Sequence, residues 1–161
     1  MFCLKSISLF INPNLDPMKS IIILLLALLN LNACNTSKVN ESQDVLRLHD
    51  IWALQEISFN GLPLELDYNE IKRPVLELHV NDRKIFGNDS CNSIFGSIET
   101  LDKSAISFGK IGGTMMACPD MTISSAYTKA LQQVRSYKLE GLNLLLFNAE
   151  GDEVLKFRKV D

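Results

Sequence analysis

Sulfur accounts for most of the side chains in this sequence whose type and spacing could do chemistry. Cys91 sits in Asn88-Asp89-Ser90-Cys91-Asn92, and Cys118 closes Gly113-Thr114-Met115-Met116-Ala117-Cys118, with Met121 three residues further on. Two readings are open. In an exported domain the two thiols meet conditions where disulfides persist, and bridging them stabilises by about 3 kcal/mol on the chain-entropy account. Alternatively Met115, Met116, Cys118 and Met121, joined by Cys91, form a soft ligand set of the kind that suits Cu(I). The plain account of the methionines is packing in the core beside a cysteine. Other candidates are weaker. His49 and His79 have no cysteine or carboxylate at ligand spacing, and Ser90-Cys91 has no base nearby in sequence. Gly109, Gly112 and Gly113 around Lys110 lack the spacing of a phosphate-binding loop and read as flexible backbone at a turn.

A further cysteine, Cys34, ends Leu31-Asn32-Ala33-Cys34. It follows the unbroken apolar run Ile21 to Leu29, which Met18-Lys19 precedes. A basic residue before a short apolar run is the layout of a secretory signal, and the run is shorter than a membrane-spanning helix needs. A small residue followed by cysteine at the cleavage point resembles the lipobox of bacterial lipoproteins. Cys34 is therefore expected to carry the lipid; each buried CH₂ contributes about 0.8 kcal/mol, so several acyl chains anchor stably where one does not. Residues 1–33 read as the signal peptide, whose start is open between Met18 and Met1, with Cys34 the first mature residue in either case. Residues 34–48 read as the lipidated cysteine and a flexible tether, and residues 49–161 as one domain.

Composition narrows the partners. Lys and Arg number 16 and Asp and Glu 19, for a net charge of −3, with no basic block. Nucleic-acid binding requires a clustered positive face, so no nucleic-acid partner is expected. The expected partners are the membrane, through the lipid, and an envelope protein or ligand that the sequence does not identify. Asn35 carries no strong inner-membrane retention signal, which favours the outer membrane.

The elements that position these residues are mostly strands. Alternating apolar and polar residues predict strands over Ile51–Ile57, Pro74–Val80, Lys84–Gly87, Phe95–Leu101, Ala105–Lys110, Tyr137–Leu139, Asn143–Phe147 and Val154–Arg158. Asn60-Gly61, Asn81-Asp82, Asp102-Lys103-Ser104, Glu140-Gly141 and Glu150-Gly151-Asp152 separate them as turns. Leu62–Arg73 reads as a loop. From Asp120 to Arg135 the period changes: Ile123, Tyr127, Ala130, Leu131 and Val134 share one helical face. Asp120 is suited to cap that helix and Arg135 to lie near its end. The sum is an α+β domain, a small curved antiparallel sheet packed with one main helix.

Cys91-Asn92 followed by Phe95-Gly96, then Thr114-Met115-Met116-Ala117-Cys118 ahead of a helix, resembles the META domain, or HslJ-like, family. Trp52-Ala53-Leu54 and Asn60-Gly61-Leu62-Pro63 match the family's opening strand and turn, so the resemblance covers nearly the whole domain. Met115 stands where many members have Arg or Lys. The resemblance implies a half-open barrel with one helix, in which Trp52, Cys91, Asn92, Phe95, Gly96, Thr114, Met116 and Cys118 are the family positions. Asn92 and Gly96 are expected at a turn or bulge and Phe95 in the core. It implies no established catalysis, so a non-enzymatic binding or stress-related module of the envelope is expected, without a cofactor. The alternative is a carrier, of copper through Met115, Met116, Cys118 and Met121, or of an apolar molecule in the barrel.

Overall fold

The computed structural model describes residues 45–59, 61–66 and 72–160. The expected signal peptide, Cys34 and most of the expected tether lie outside the described residues. The folded unit reaches back further than residue 49. Leu48 is fully buried, and the indole Nε1 of Trp52 donates to the Leu48 carbonyl at 3.0 Å. The reason is packing that periodicity does not reveal, since of Val45, Leu46 and Leu48 it is Leu48 that joins the core cluster.

Strands β1 (Ile51–Phe59), β2 (Leu62–Pro63), β3 (Val75–His79), β4 (Lys84–Asn88), β5 (Ser93–Leu101), β6 (Ile106–Phe108) and β7 (Gly112–Gly113) come first. Helix α1 (Thr122–Gln133) follows, then β8 (Ser136–Glu140), β9 (Asn143–Phe147) and β10 (Glu153–Lys159). The main sheet runs β6-β5-β4-β3-β1-β10-β9-β8, with β2 paired to β1 and β7 to β5. All these pairings are antiparallel. Bulges interrupt the register at Leu54/Glu56, Ile98/Thr100 and Glu153/Leu155, and such extra residues bend and coil a sheet. Coiling brings the two edge strands together: Ala105 bridges Ser136, the Ile106 amide donates to Arg135, and the Tyr137 amide donates to Ser104. The result is a nearly closed barrel with one seam, between β6 and β8.

Alternation decides which side chains fill it. Leu76 and Leu78 of β3 and Ile94 and Ile98 of β5 point inward and are buried, while their neighbours face out. The helix lies over the barrel with Ala126, Tyr127, Ala130 and Leu131 inward, and the Tyr127 ring meets Phe157 edge-on at 6.1 Å. Its expected ends move in by about one turn's half at each side. The amide of Thr122 donates to Asp120 Oδ1 at 2.8 Å, one residue before the helix-flanking Met121. At the other end Arg135 donates to the Gln132 and Val134 carbonyls, which the helix leaves without internal donors.

Candidate functional site

The family positions gather where the loop between β4 and β5 meets β7 and the approach to α1. Asp89 organises the first of these. It is buried, and its Oδ1 accepts the amides of Cys91 at 2.9 Å and Asn92 at 2.6 Å, while its own amide donates to the Asn92 carbonyl. Oδ2 accepts the hydroxyl of Ser124, on the buried face of α1, at 2.7 Å. A buried carboxylate is stable only when its lone pairs are filled, and these three donors fill them. The turn is tight enough to hold Ser90 at φ 90°, a left-handed conformation that a serine adopts only under constraint.

Asn92 does the same for the second loop. Its Oδ1 accepts the Thr114 hydroxyl at 2.9 Å and the Met116 amide at 2.8 Å. Both partners are donors, which fixes the amide orientation with oxygen toward them. Thr114 in turn exchanges bonds with Ser93: its Oγ1 accepts the Ser93 amide, and its amide donates to the Ser93 carbonyl. A disulfide between Cys91 and Cys118, with Cα atoms 6.1 Å apart, ties the two loops covalently. The disulfide expected from the sequence is present, and both sulfurs are thereby withdrawn from any thiolate ligand set. Cys91 Sγ lies 3.6 Å from the Met116 carbonyl as a contact only, since a disulfide sulfur has no hydrogen to donate.

Several expectations are corrected here. Phe95 is not in the core but 55 % exposed, because β5 turns it to the outer face opposite Phe86, itself 40 % exposed. Met115, Met116 and Met121 do not pack as core methionines; Met115 is 99 % exposed. Gly96 is not at a turn or bulge but inside β5, where a Cβ would lie 3.3 Å from both Ile85 and the Lys110 carbonyl. Nor do Gly112 and Gly113 form a turn. They make β7, and a Cβ on Gly112 would come within 3.0 Å of the Phe95 ring. The physical reason is common to these: close approach, not conformational freedom, selects glycine there. Trp52 lies in the core, far from solvent.

His79 is partly exposed on the same outer face and belongs to an aromatic row. Its ring meets Phe86 edge-on at 5.3 Å and His49 at 5.4 Å, and its Nε2 lies 3.8 Å from Glu77. Among the described residues no group of three or more His, Cys, Asp or Glu is placed to hold a metal.

Two participants escape sequence reasoning, Asp89 and Ser124, and a third, Tyr127, falls on the inward helical face by its period, which gives no sign of its buried hydroxyl. Asp89 reads in sequence as an ordinary polar loop residue, although an Asp three residues before an Asn is the signature of a side-chain-closed turn. Ser124 is a polar residue next to the apolar stripe of α1. The Tyr127 hydroxyl is buried without a hydrogen-bond partner among the described residues. Burial first, and then the negative charge of Asp89, raise its pKa well above the usual phenol value, so it stays protonated.

A seamed antiparallel barrel covered by one helix, with two loops locked by a disulfide and an asparagine, defines a class of small α+β domain. The META domain family model matches residues 32–161, and the chain belongs to that family. No curated protein matches it. Among solved structures, an NMR structure of a protein from Burkholderia xenovorans is similar, with 23 % identity and a TM-score of 0.58, over 73 % of this chain and 87 % of that one. A crystal structure of a DUF4847 family protein from Bacteroides vulgatus is 16 % identical with a TM-score of 0.49, over 71 % of this chain and 96 % of that one. At these identities the likeness to the first concerns the fold alone.

Proposed function

We propose that this chain is a lipid-anchored protein of the bacterial envelope, held through Cys34, and that its META domain is a non-enzymatic binding module. The single observation that carries the reading is the use to which the motif is put. Cys91, Asn92, Thr114 and Cys118 are consumed in holding two loops rigid, and the frame they build presents Phe95, Met115 and Met116 to solvent. Exposed apolar side chains on a rigid frame are a binding device. Asp89 and Asn92 are likewise spent on holding the two loops and the first turn of α1 together. A disulfide supports an oxidising compartment, and the small residue before Cys34 supports acylation there.

The test is metabolic labelling with an alkynyl fatty acid, followed by membrane fractionation. The wild-type chain takes up label and sediments with membranes, and Cys34→Ser abolishes both. An unlabelled, soluble wild-type protein would sink the anchoring half of the proposal. For the binding half, crosslinking from a photoreactive residue at position 115 yields discrete adducts that Phe95→Ala and Met116→Ala weaken. Adducts insensitive to both substitutions count against it.

A further inference from the structure

One end of the barrel is the end at which the chain enters. Val45 to Asp50 lead into β1 there, and the turns β3–β4, β5–β6 and β8–β9 lie at the same end. Leu46 and Leu142 wall one hollow beside Trp52, and Leu46 walls a second with Val80 and Leu101. The Lys159 amide donates to the Leu142 carbonyl and the Val160 amide to Ile51, which sets Ile51 and Val160 at the rim. Leu46, Ile51, Leu142 and Val160 are all exposed. The disulfide frame lies at the opposite end, between the last residue of β4 and the first of β5, and Leu62 of β2 is at that end too.

The charges at the entry end are largely matched among themselves. Asp50 is paired with Lys159 and Glu140 with Lys138, and Arg47 is engaged as well. What this end offers a partner is therefore apolar surface. Its position on the chain says which partner. Eleven residue steps separate Cys34 from Val45, a reach of at most about 40 Å. The nine residues of β1 alone extend about 30 Å. With a lipid on Cys34, that length of chain is slack when the entry end meets the bilayer. It is drawn nearly taut when the opposite end does, because it must first run back along the barrel, and a taut chain has few conformations left. Tethering also makes the contact intramolecular, so one too weak to form from solution holds once the chain is anchored.

We propose that the entry end seats on the lipid bilayer that holds Cys34, with Leu46 and Leu142 entering the headgroup boundary, and that the disulfide frame thereby faces away from the membrane. The inference rests on the acylation of Cys34 proposed above. Apolar groups bind that boundary according to the area they bury in it. The test uses the acylated mature chain in vesicles of phosphatidylethanolamine and phosphatidylglycerol. A nitroxide is attached in turn through Leu142→Cys and Leu62→Cys; Cys91 and Cys118 are bridged and do not compete. Its collisions with oxygen, which concentrates in lipid, and with a water-soluble nickel chelate report depth. The label at position 142 gains oxygen collisions and loses those with the chelate relative to the label at position 62. Adding Leu46→Glu returns the label at 142 to the chelate. Sedimentation with vesicles and the melting temperature stay those of the parent, because Leu46 is exposed. Raising salt from about 50 to about 300 mM leaves the pattern unchanged, as an apolar contact requires. A chain that is neither acylated nor sedimented sinks the anchoring reading and the seat with it. An acylated chain whose two labels are equally open to the chelate, or whose label at 142 is released by salt, overturns the seat alone. So does a label sunk in lipid at 62 and not at 142, which would put the disulfide end on the membrane.

Discussion

The hydroxyl of Ser124 donates to the carboxylate of Asp89 at 2.7 Å, joining the first turn of α1 to a loop 35 residues earlier in the chain. The same carboxylate receives the amides of Cys91 and Asn92. One buried acid therefore fixes both the turn that carries the disulfide and the helix that covers the barrel. Removing Ser124 leaves a buried acceptor unfilled, so Ser124→Ala is expected to destabilise by about 1–3 kcal/mol in urea unfolding. Tyr127→Phe makes the contrasting case. Its hydroxyl has no partner, so its loss is expected to leave stability unchanged or raise it. A large loss from Tyr127→Phe would mean that the hydroxyl is in fact bonded.

The disulfide lends itself to a direct measurement. Intact mass after alkylation, with and without prior reduction, is expected to show labelling of Cys91 and Cys118 only after reduction. Reduction is expected to cost about 3 kcal/mol of stability. Free labelling without reductant would contradict the frame and make a Cu(I) titration, with Met115, Met116 and Met121 as the remaining soft donors, the next experiment.

Gly87 marks the least tolerant backbone position. Its φ is +149°, and a Cβ there would sit 2.0 Å from the Val75 carbonyl oxygen on the adjacent strand. Gly87→Ala is expected to destabilise by more than about 2 kcal/mol, since neither the strain nor the backbone clash can relax cheaply. At Gly112 the obstacle is the exposed Phe95 ring, which can swing away. Gly112→Ala is accordingly expected to be milder, and Phe95→Ala to suppress its cost in a double-mutant cycle.

Acid should loosen the β5–β6 turn. The amides of Ala105 and then Ser104 hold the Asp102 carboxyl below its usual value of 3.8. A depressed folded pKa means that the stabilisation is fully present above the unfolded value and is lost as pH falls through the folded one. Amide exchange at Ser104 and Ala105, taken relative to the intrinsic rate at each pH, is expected to accelerate as pH drops below 3.8, and Asp102→Asn to blunt that dependence. The same acceleration in Asp102→Asn would assign it to another group.

Leu48 bears on where the domain begins. Truncation to residue 49 or Leu48→Ala is expected to cost about 2–5 kcal/mol, because the side chain is fully buried and its carbonyl receives the Trp52 indole. Chains starting at residue 49 and at residue 45 with equal melting temperatures would place Leu48 outside the fold.

The sequence by itself determined the longer strands in their order along the chain, the amphipathic helix and its inward face, and the turns at Gly61, Gly141 and Gly151. These follow from local pattern: period two, period 3.6 and turn residues with left-handed φ. It left Cys91 and Cys118 open between a bridge and a ligand set, and it read β2, at Leu62–Pro63, as loop and β7, at Gly112–Gly113, as turn. Tertiary structure decided the rest. Phe95 is apolar in type yet exposed, because outward or inward placement on β5 depends on a register set by partners far away in sequence, and Met115 is exposed in the loop after β7. Leu48 is buried only because the barrel closes around it. Asp89 and Ser124 lie 35 residues apart, and no local period links a loop carboxylate to a helix hydroxyl. The seam exists only because coiling brings β6 back to β8, and no local pattern in either strand announces that Ala105 meets Ser136.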